Sequence, residues 1–296
     1  MRLAALLSVL SSLALAVALP WQSGVPVQSG VAQRFEPPSL FVYDFQLGLG
    51  PAGNVEHVKT LGFEGLVTSV QVPADLHKLS LYAGHAATLP DFDLLAFVSY
   101  DFGDAASADV WRDALPILAG VNAPLWVIVR GAPSAGALRQ LLVQMATESQ
   151  AVGVEAVIYP HWGTDVESAA EASALIQGIG HPNLRSSLHT CHEIRAGNQD
   201  TLDAVVAQHA GESALATIAG AEQNAYAGPF DPLVDWSDAI MPLDQGDFSL
   251  LPFLQALHDS GYDGPVILHT FGITNEPGHL TDSLGKYAEY LSQVAR

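Results

Sequence analysis

The sequence predicts an α/β fold, a (β/α)8 barrel of the TIM-barrel class, and three observations carry that prediction. Eight short, nearly continuous apolar runs recur between residues 40 and 269. The segments between them place apolar residues three and four apart, the spacing of an amphipathic helix. From Ser39 to the C-terminus about 260 residues are available, close to the ~250 of a typical barrel of eight such pairs.

Taken in order, the runs are residues 40–44, 65–70, 94–100, 125–130, 156–159, 184–189, 215–219 and 265–269. They lack the polar alternation of a half-exposed sheet, as parallel strands do when both faces are covered. The helical segments are 55–61, 74–87, 109–118, 134–151, 165–179, 201–209, 248–260 and 280–294. Of these, 74–87 is the weakest because it carries Gly84. Gly62 and Gly261 follow the last turns of the first and seventh segments, where glycine takes up a left-handed cap. Residues 221–239 show neither period and read as a loop on the active face. A doubly wound open sheet is the alternative, but no Gly-x-Gly-x-x-Gly turn follows the first run.

Residues 1–18 read as a signal peptide: Arg2, an apolar stretch, and the small-x-small site Ala16-Val17-Ala18. The stretch is shorter than the ~20 apolar residues needed to span a bilayer. Residues 19–38, rich in Gly, Ser, Gln, Val and Pro, read as a linker, and residues 39–296 as one barrel domain. The expected location is therefore secreted or periplasmic. Cys191 is the only cysteine, so no intrachain disulfide forms, which points to a bacterial envelope or secreted protein.

Eleven Lys and Arg against 31 Asp and Glu leave a formal charge of −20. That field repels phosphate backbones and anionic lipid, so neither nucleic acid nor, after signal cleavage, a membrane is expected as a partner. The oligomeric state is left open.

In a (β/α)8 barrel the chemistry sits at the C-terminal ends of the strands. Four of the eleven histidines fall there: His161, His189, His192 and His269. Imidazole serves proton transfer and metal binding near neutral pH. His189, His192 and His269 are the candidate catalytic residues, and those three with His161 the candidate metal ligands. The alternative is that they hydrogen-bond loop backbone or ligand hydroxyls. Candidate substrate-binding residues are Arg130, Tyr159, His161, Trp162, Glu222 and Asp244. Arg130 ends a strand in an acid-rich chain, where it either binds an anionic or hydroxyl-rich ligand or pairs with a carboxylate. Trp162, Trp236 and Phe271 offer apolar faces to a sugar ring or serve packing. Cys191 reads as a buried thiol, Asp247 as the cap of a helix near Phe248, and Arg195 as a pocket residue.

Three stretches carry a family resemblance: 153–163 (GVEAVIYPHWG), 188–193 (LHTCHE), and 245–266, which opens QGDF and closes GYDGPV. They are similar to the xylose isomerase-like TIM barrels, the sugar phosphate isomerase/epimerase group that also includes endonuclease IV-type enzymes. The resemblance implies a divalent metal held by Glu, Asp, His and Glu on strands five to eight, with the two glutamates exchanging a substrate proton in the epimerases. Here those positions hold Tyr159, His189, the 219–221 segment without histidine, and His269, while His192 matches the histidine that follows the Asp. The implied function is an exported isomerase or epimerase acting on a small-molecule sugar or keto-sugar by acid–base proton transfer, with lyase chemistry as a relative. A divalent metal of the Zn or Mn kind, held by histidines, or no metal at all, would complete it. The alternative is a noncatalytic carbohydrate-binding barrel that has lost the metal site.

Overall fold

Eight parallel strands pair in chain order and close on themselves in the computed structural model, which describes residues 38–274 and 278–294. They are β1 (Leu40–Tyr43), β2 (Gly65–Val70), β3 (Asp93–Asp101), β4 (Leu125–Arg130), β5 (Ala156–Ile158), β6 (Leu184–His189), β7 (Ser213–Ile218) and β8 (Val266–Leu268). Closure sets Leu40, Phe41 and Val42 opposite Val266, Ile267 and Leu268. Strand residues are almost all buried, which is why the runs read as continuously apolar. The predicted barrel is the observed one.

Around it run α1 (Gly50–Leu61), α2 (Asp75–Ala86), α3 (Val110–Gly120), α4 (Ala135–Ala151), α5 (Ala169–Ile179), α6 (Thr190–Arg195), α7 (Leu202–His209), α8 (Leu251–Asp259) and α9 (His279–Leu291). Ser134 caps α4 by accepting the Ala137 N–H at 3.1 Å, satisfying one of the donors a helix start leaves open. Gly62 ends α1 at φ 107°, in the left-handed region expected of it.

Element ends shift by a few residues from the sequence reading, and three of the differences have a local reason. Helix α1 begins at Gly50, five residues early, because Pro51 is favourable in a first turn where no N–H is needed. Helix α6 occupies residues read as loop, and six residues are too few to show a helical period. Helix α8 begins at Leu251, and Asp247 caps nothing there: its Oδ1 accepts the Gln223 N–H at 2.6 Å.

Between β7 and α8 the chain makes the long irregular loop expected, and Arg195 at the end of α6 is its anchor. The guanidinium is fully buried, donates to the carbonyls of Tyr226 and Asp235 at 2.7 Å, and forms an ion pair with Asp238. It also lies over the Trp236 ring at 4.9 Å. Arg195 is therefore a structural residue and not the pocket residue expected.

The expected signal peptide and all of the linker except Pro38 lie outside the described residues. Among the described residues no helix is long and apolar enough to cross a membrane.

Candidate functional site

The barrel interior narrows to an aromatic plug, and the plug is the floor of the site. Trp126 stacks on Tyr159 at 4.5 Å and Tyr159 on His189 at 3.9 Å, ring centre to ring centre. Ser187 ties the plug together: its hydroxyl accepts the Trp126 indole N–H at 2.9 Å, lies 3.0 Å from the Ile158 carbonyl and 2.9 Å from His189 Nε2. Tyr43 and Tyr159 hydroxyls meet at 3.2 Å. Burial pushes both phenols far above their ordinary range, so they are neutral hydrogen-bonding groups.

Above the plug, at the C-terminal strand ends, opens a cavity of about 310 Å³. Its polar wall includes Ser99, Arg130, Tyr159, His161, His192 and His269, and its apolar wall includes Phe45, Phe97, Trp236 and Phe271. A larger depression of about 410 Å³ lies at the opposite barrel end, beside Ser39, Asp93 and Pro265. Barrels place their chemistry at the C-terminal end, where the imidazoles also gather, so the smaller cavity is the candidate site.

The tautomers of two histidines follow from their neighbours. His161 Nδ1 lies 2.8 Å from the Trp162 carbonyl, which only accepts, so Nδ1 carries the proton and Nε2 a lone pair. Burial, with the Arg130 charge adding to it, lowers its pKa to about 4, so the ring is neutral at pH 7. At His269 the polarity is reversed: Nδ1 accepts the Phe271 N–H at 3.3 Å, leaving the proton on Nε2. Burial, then the nearby His161, brings this pKa to about 3. One histidine thus offers an acceptor and the other a donor in a single cavity.

His192 sits between them, its ring 4.0 Å from that of His161 and 6.4 Å from that of His269. Both of its ring nitrogens are buried without a hydrogen-bond partner among the described residues. Burial and the neighbouring imidazoles hold it neutral, its pKa well below the usual range. Leaving two buried polar atoms unpaired is costly, and such atoms in a native fold call for a partner.

The other expected site residues divide by position. Arg130 faces the cavity with no carboxylate partner among the described residues, so of its two expected roles the ligand-binding one has the geometry. His189 lies beneath Tyr159 and does not line the cavity; Ser187 takes its Nε2. Trp162 is buried under the long loop, its N–H donated to the Gly228 carbonyl at 3.1 Å. Glu222 is held in the loop, its carbonyl accepting from Gln199 at 2.7 Å, and does not line the cavity. Asp244 opens onto a separate depression beside Lys286. Phe45, Gln71, Ser99 and Asp231 line the cavity and were not foreseen. For Ser99 a signal existed: it stands on β3 two residues after Phe97, and period two puts both side chains on the cavity face.

The metal set that the resemblance implies does not fit. Its carboxylate positions hold a tyrosine bonded to Tyr43, a histidine bonded to Ser187, and His269, so none supplies an anionic oxygen. What the described residues bring together instead is Cys191, His192 and His269, whose donor atoms lie within 4.8 Å of one another, all buried.

The family model described as xylose isomerase-like TIM barrel matches residues 82–290, which contain all three stretches singled out in the sequence. No curated protein matches the chain by sequence. Among solved structures, the E. coli 3-keto-D-glucoside 4-epimerase superposes with a TM-score of 0.67 at 13% identity, over 86% of this chain and 100% of that one. The D-allulose 3-epimerase of Methylomonas sp. gives 0.62 at 15%, over 87% and 98%. A xylose isomerase-like TIM barrel/4-hydroxyphenylpyruvate dioxygenase fusion protein gives 0.67 at 16%, and this chain spans 43% of its length. At such identities the likeness establishes the fold.

Proposed function

Because the chain belongs to the xylose isomerase-like TIM-barrel family, we propose that its cavity takes a small sugar or keto-sugar and moves a proton on a carbon beside a carbonyl, as an isomerase or epimerase does. Structural neighbours named as epimerases of a keto-glucoside and of allulose support the substrate class. The observation that carries the chemistry is the complementary pair of tautomers. His161 Nε2 presents a lone pair and His269 Nε2 a proton to the same cavity.

In this reading His161 takes the C–H proton while His269 donates a hydrogen bond to the carbonyl oxygen. Negative charge then grows on that oxygen, and the unpaired Arg130 guanidinium lies in the same cavity to stabilise it. A pKa near 4 keeps the ring an unprotonated base at pH 7; an anionic enediolate beside the ring is an opposite charge, which raises it as the proton arrives. Phe271 and Trp236 offer flat apolar faces to the sugar's C–H side.

The test is deuterium wash-in from D2O over a panel of keto-sugars and 3-keto-glycosides. Wild-type protein exchanges at least one of them, and His161→Gln lowers the rate by roughly 10²–10⁴-fold, the usual worth of a positioned base, with an unchanged thermal midpoint. The absence of a carboxylate at the two proton-exchanging positions favours a second reading, the noncatalytic sugar-binding barrel. Calorimetric sugar binding with no wash-in on any sugar selects it.

Export belongs to the same proposal and rests on the N-terminal pattern of residues 1–18. Intact mass of the protein recovered from a bacterial envelope or culture medium is expected to begin at Leu19. A retained Met1 removes it.

A further inference from the structure

The geometry points to a second property of this cavity: Cys191, His192 and His269 form a three-donor site for a borderline-soft divalent transition metal, Zn²⁺ in the first place, with a thiolate as one ligand. Three observations converge. The sulfur and one nitrogen from each ring lie within 4.8 Å of one another, near enough to close on a single ion with small side-chain adjustments. All three residues are buried, at 0%, 2% and 5% exposure, so the cluster is not a chance gathering of surface groups. Both His192 nitrogens are also buried without a partner among the described residues, and an ion bound by one of them would resolve half of that cost.

The donor types choose the metal. A thiolate and two imidazoles suit zinc or cobalt and not the oxygen-seeking Mg²⁺ or Mn²⁺. Three protein ligands leave a coordination position free, and His192 and His269 both line the cavity into which it would open. The cysteine the site uses is free and buried, and it lies beside His192 in the chain. At neutral pH an unligated thiol carries its proton and unligated imidazoles are mostly neutral. Binding therefore exchanges the S–H bond for an S–metal bond and releases one proton to solvent, while His269 gives up the 3.3 Å bond from the Phe271 N–H so that a ring lone pair is free for the ion.

Cobalt titration of the purified, chelator-treated chain tests this. One Co²⁺ is expected to bind per chain, with a near-ultraviolet thiolate-to-cobalt charge-transfer band and one proton released per ion. Cys191→Ser removes the band and weakens binding by about 100-fold or more, beyond what loss of an outer-shell partner costs. His192→Gln weakens binding comparably. Circular dichroism verifies folding of each variant, and the wild-type spectrum decides the matter even if a variant fails to fold. Cobalt bound without the band, no uptake by the folded wild type, or a Cys191→Ser affinity within about 3-fold of wild type overturns the site. The outcome is separable from the sugar proposal. Metal uptake without wash-in supports this site and refutes the enzyme; wash-in by a chain that takes up no cobalt does the reverse.

Discussion

Between pH 7 and pH 5 the protein is expected to lose stability steeply, with its urea midpoint falling at every step down. Four imidazoles cause most of it, and His209, which burial also lowers, adds in the same sense. Burial lowers His161 to about 4 and His269 to about 3, and holds His189 and His192 well below the usual range. In the unfolded chain each titrates near 6.5. Below that value the unfolded state binds protons that the folded state refuses, so stability falls with pH. The contribution is complete above about 6.5 and is lost as pH drops from there toward the folded values. Each histidine costs ~1.4 kcal/mol per pH unit in that window. Four together amount to about 8 kcal/mol by pH 5, comparable with the roughly 5–15 kcal/mol by which most domains are stable. Burial raises the carboxyls of Glu155 and Glu193, which act in the opposite sense below their own folded values. They are two groups against four and begin lower on the scale. Urea unfolding at half-unit pH intervals measures the slope, and His269→Asn should remove about a quarter of it. A midpoint that stays constant from pH 7 to pH 5 contradicts the neutral cluster.

Arg195→Ala is expected to cost about 3 kcal/mol and to empty the cavity's loop wall. The side chain is fully buried and leaves three orphans when cut back: the carbonyls of Tyr226 and Asp235 and the carboxylate of Asp238. Burial pulls the Asp238 carboxyl upward, but Arg195 and the Tyr226 N–H more than offset it, and its pKa is lowered overall. Asp238 is 32% exposed, so water recovers part of the loss, which puts the cost at the low end for a broken buried pair. The consequence reaches the site because the same loop carries Asp231, Pro232 and Trp236 to the cavity. Hydrogen exchange should accelerate across residues 226–238 while the barrel strands stay protected, and sugar binding should weaken with it. Arg195→Lys recovers charge but not the two-pronged fit, and should restore less than half of the loss. Unchanged exchange in that loop would show that Arg195 does not anchor it.

Much of the fold was legible because its signal is local. The strand run 125–130 is apolar up to its last residue, Arg130, since both of its faces are covered, and the structure returns it with the same bounds. Gly62 and Ser260-Gly261 marked helix ends for a backbone reason that needs no tertiary contact. Helix α6 was not legible because it is shorter than two turns and is held by its place against the barrel. Arg195 misled for a related reason: nothing near it in the chain announces Asp238, 43 residues away, as its partner.

The candidate site divides along the same line. Periodicity alone put Arg130, Tyr159, His161, His189, His192 and His269 at strand ends, and connectivity does the rest in a closed parallel barrel. Only the folded chain decided which of them share a cavity. His189 turned inward because Ser187 and Tyr159 hold its ring, while His161 and His269 acquired opposite tautomers from one carbonyl and one amide. Their depressed basicity comes from exclusion of water by elements far apart in the chain. The order of elements is written in local periodicity; the chemistry of an imidazole is set by which neighbours remove its solvent and which single atom meets each nitrogen.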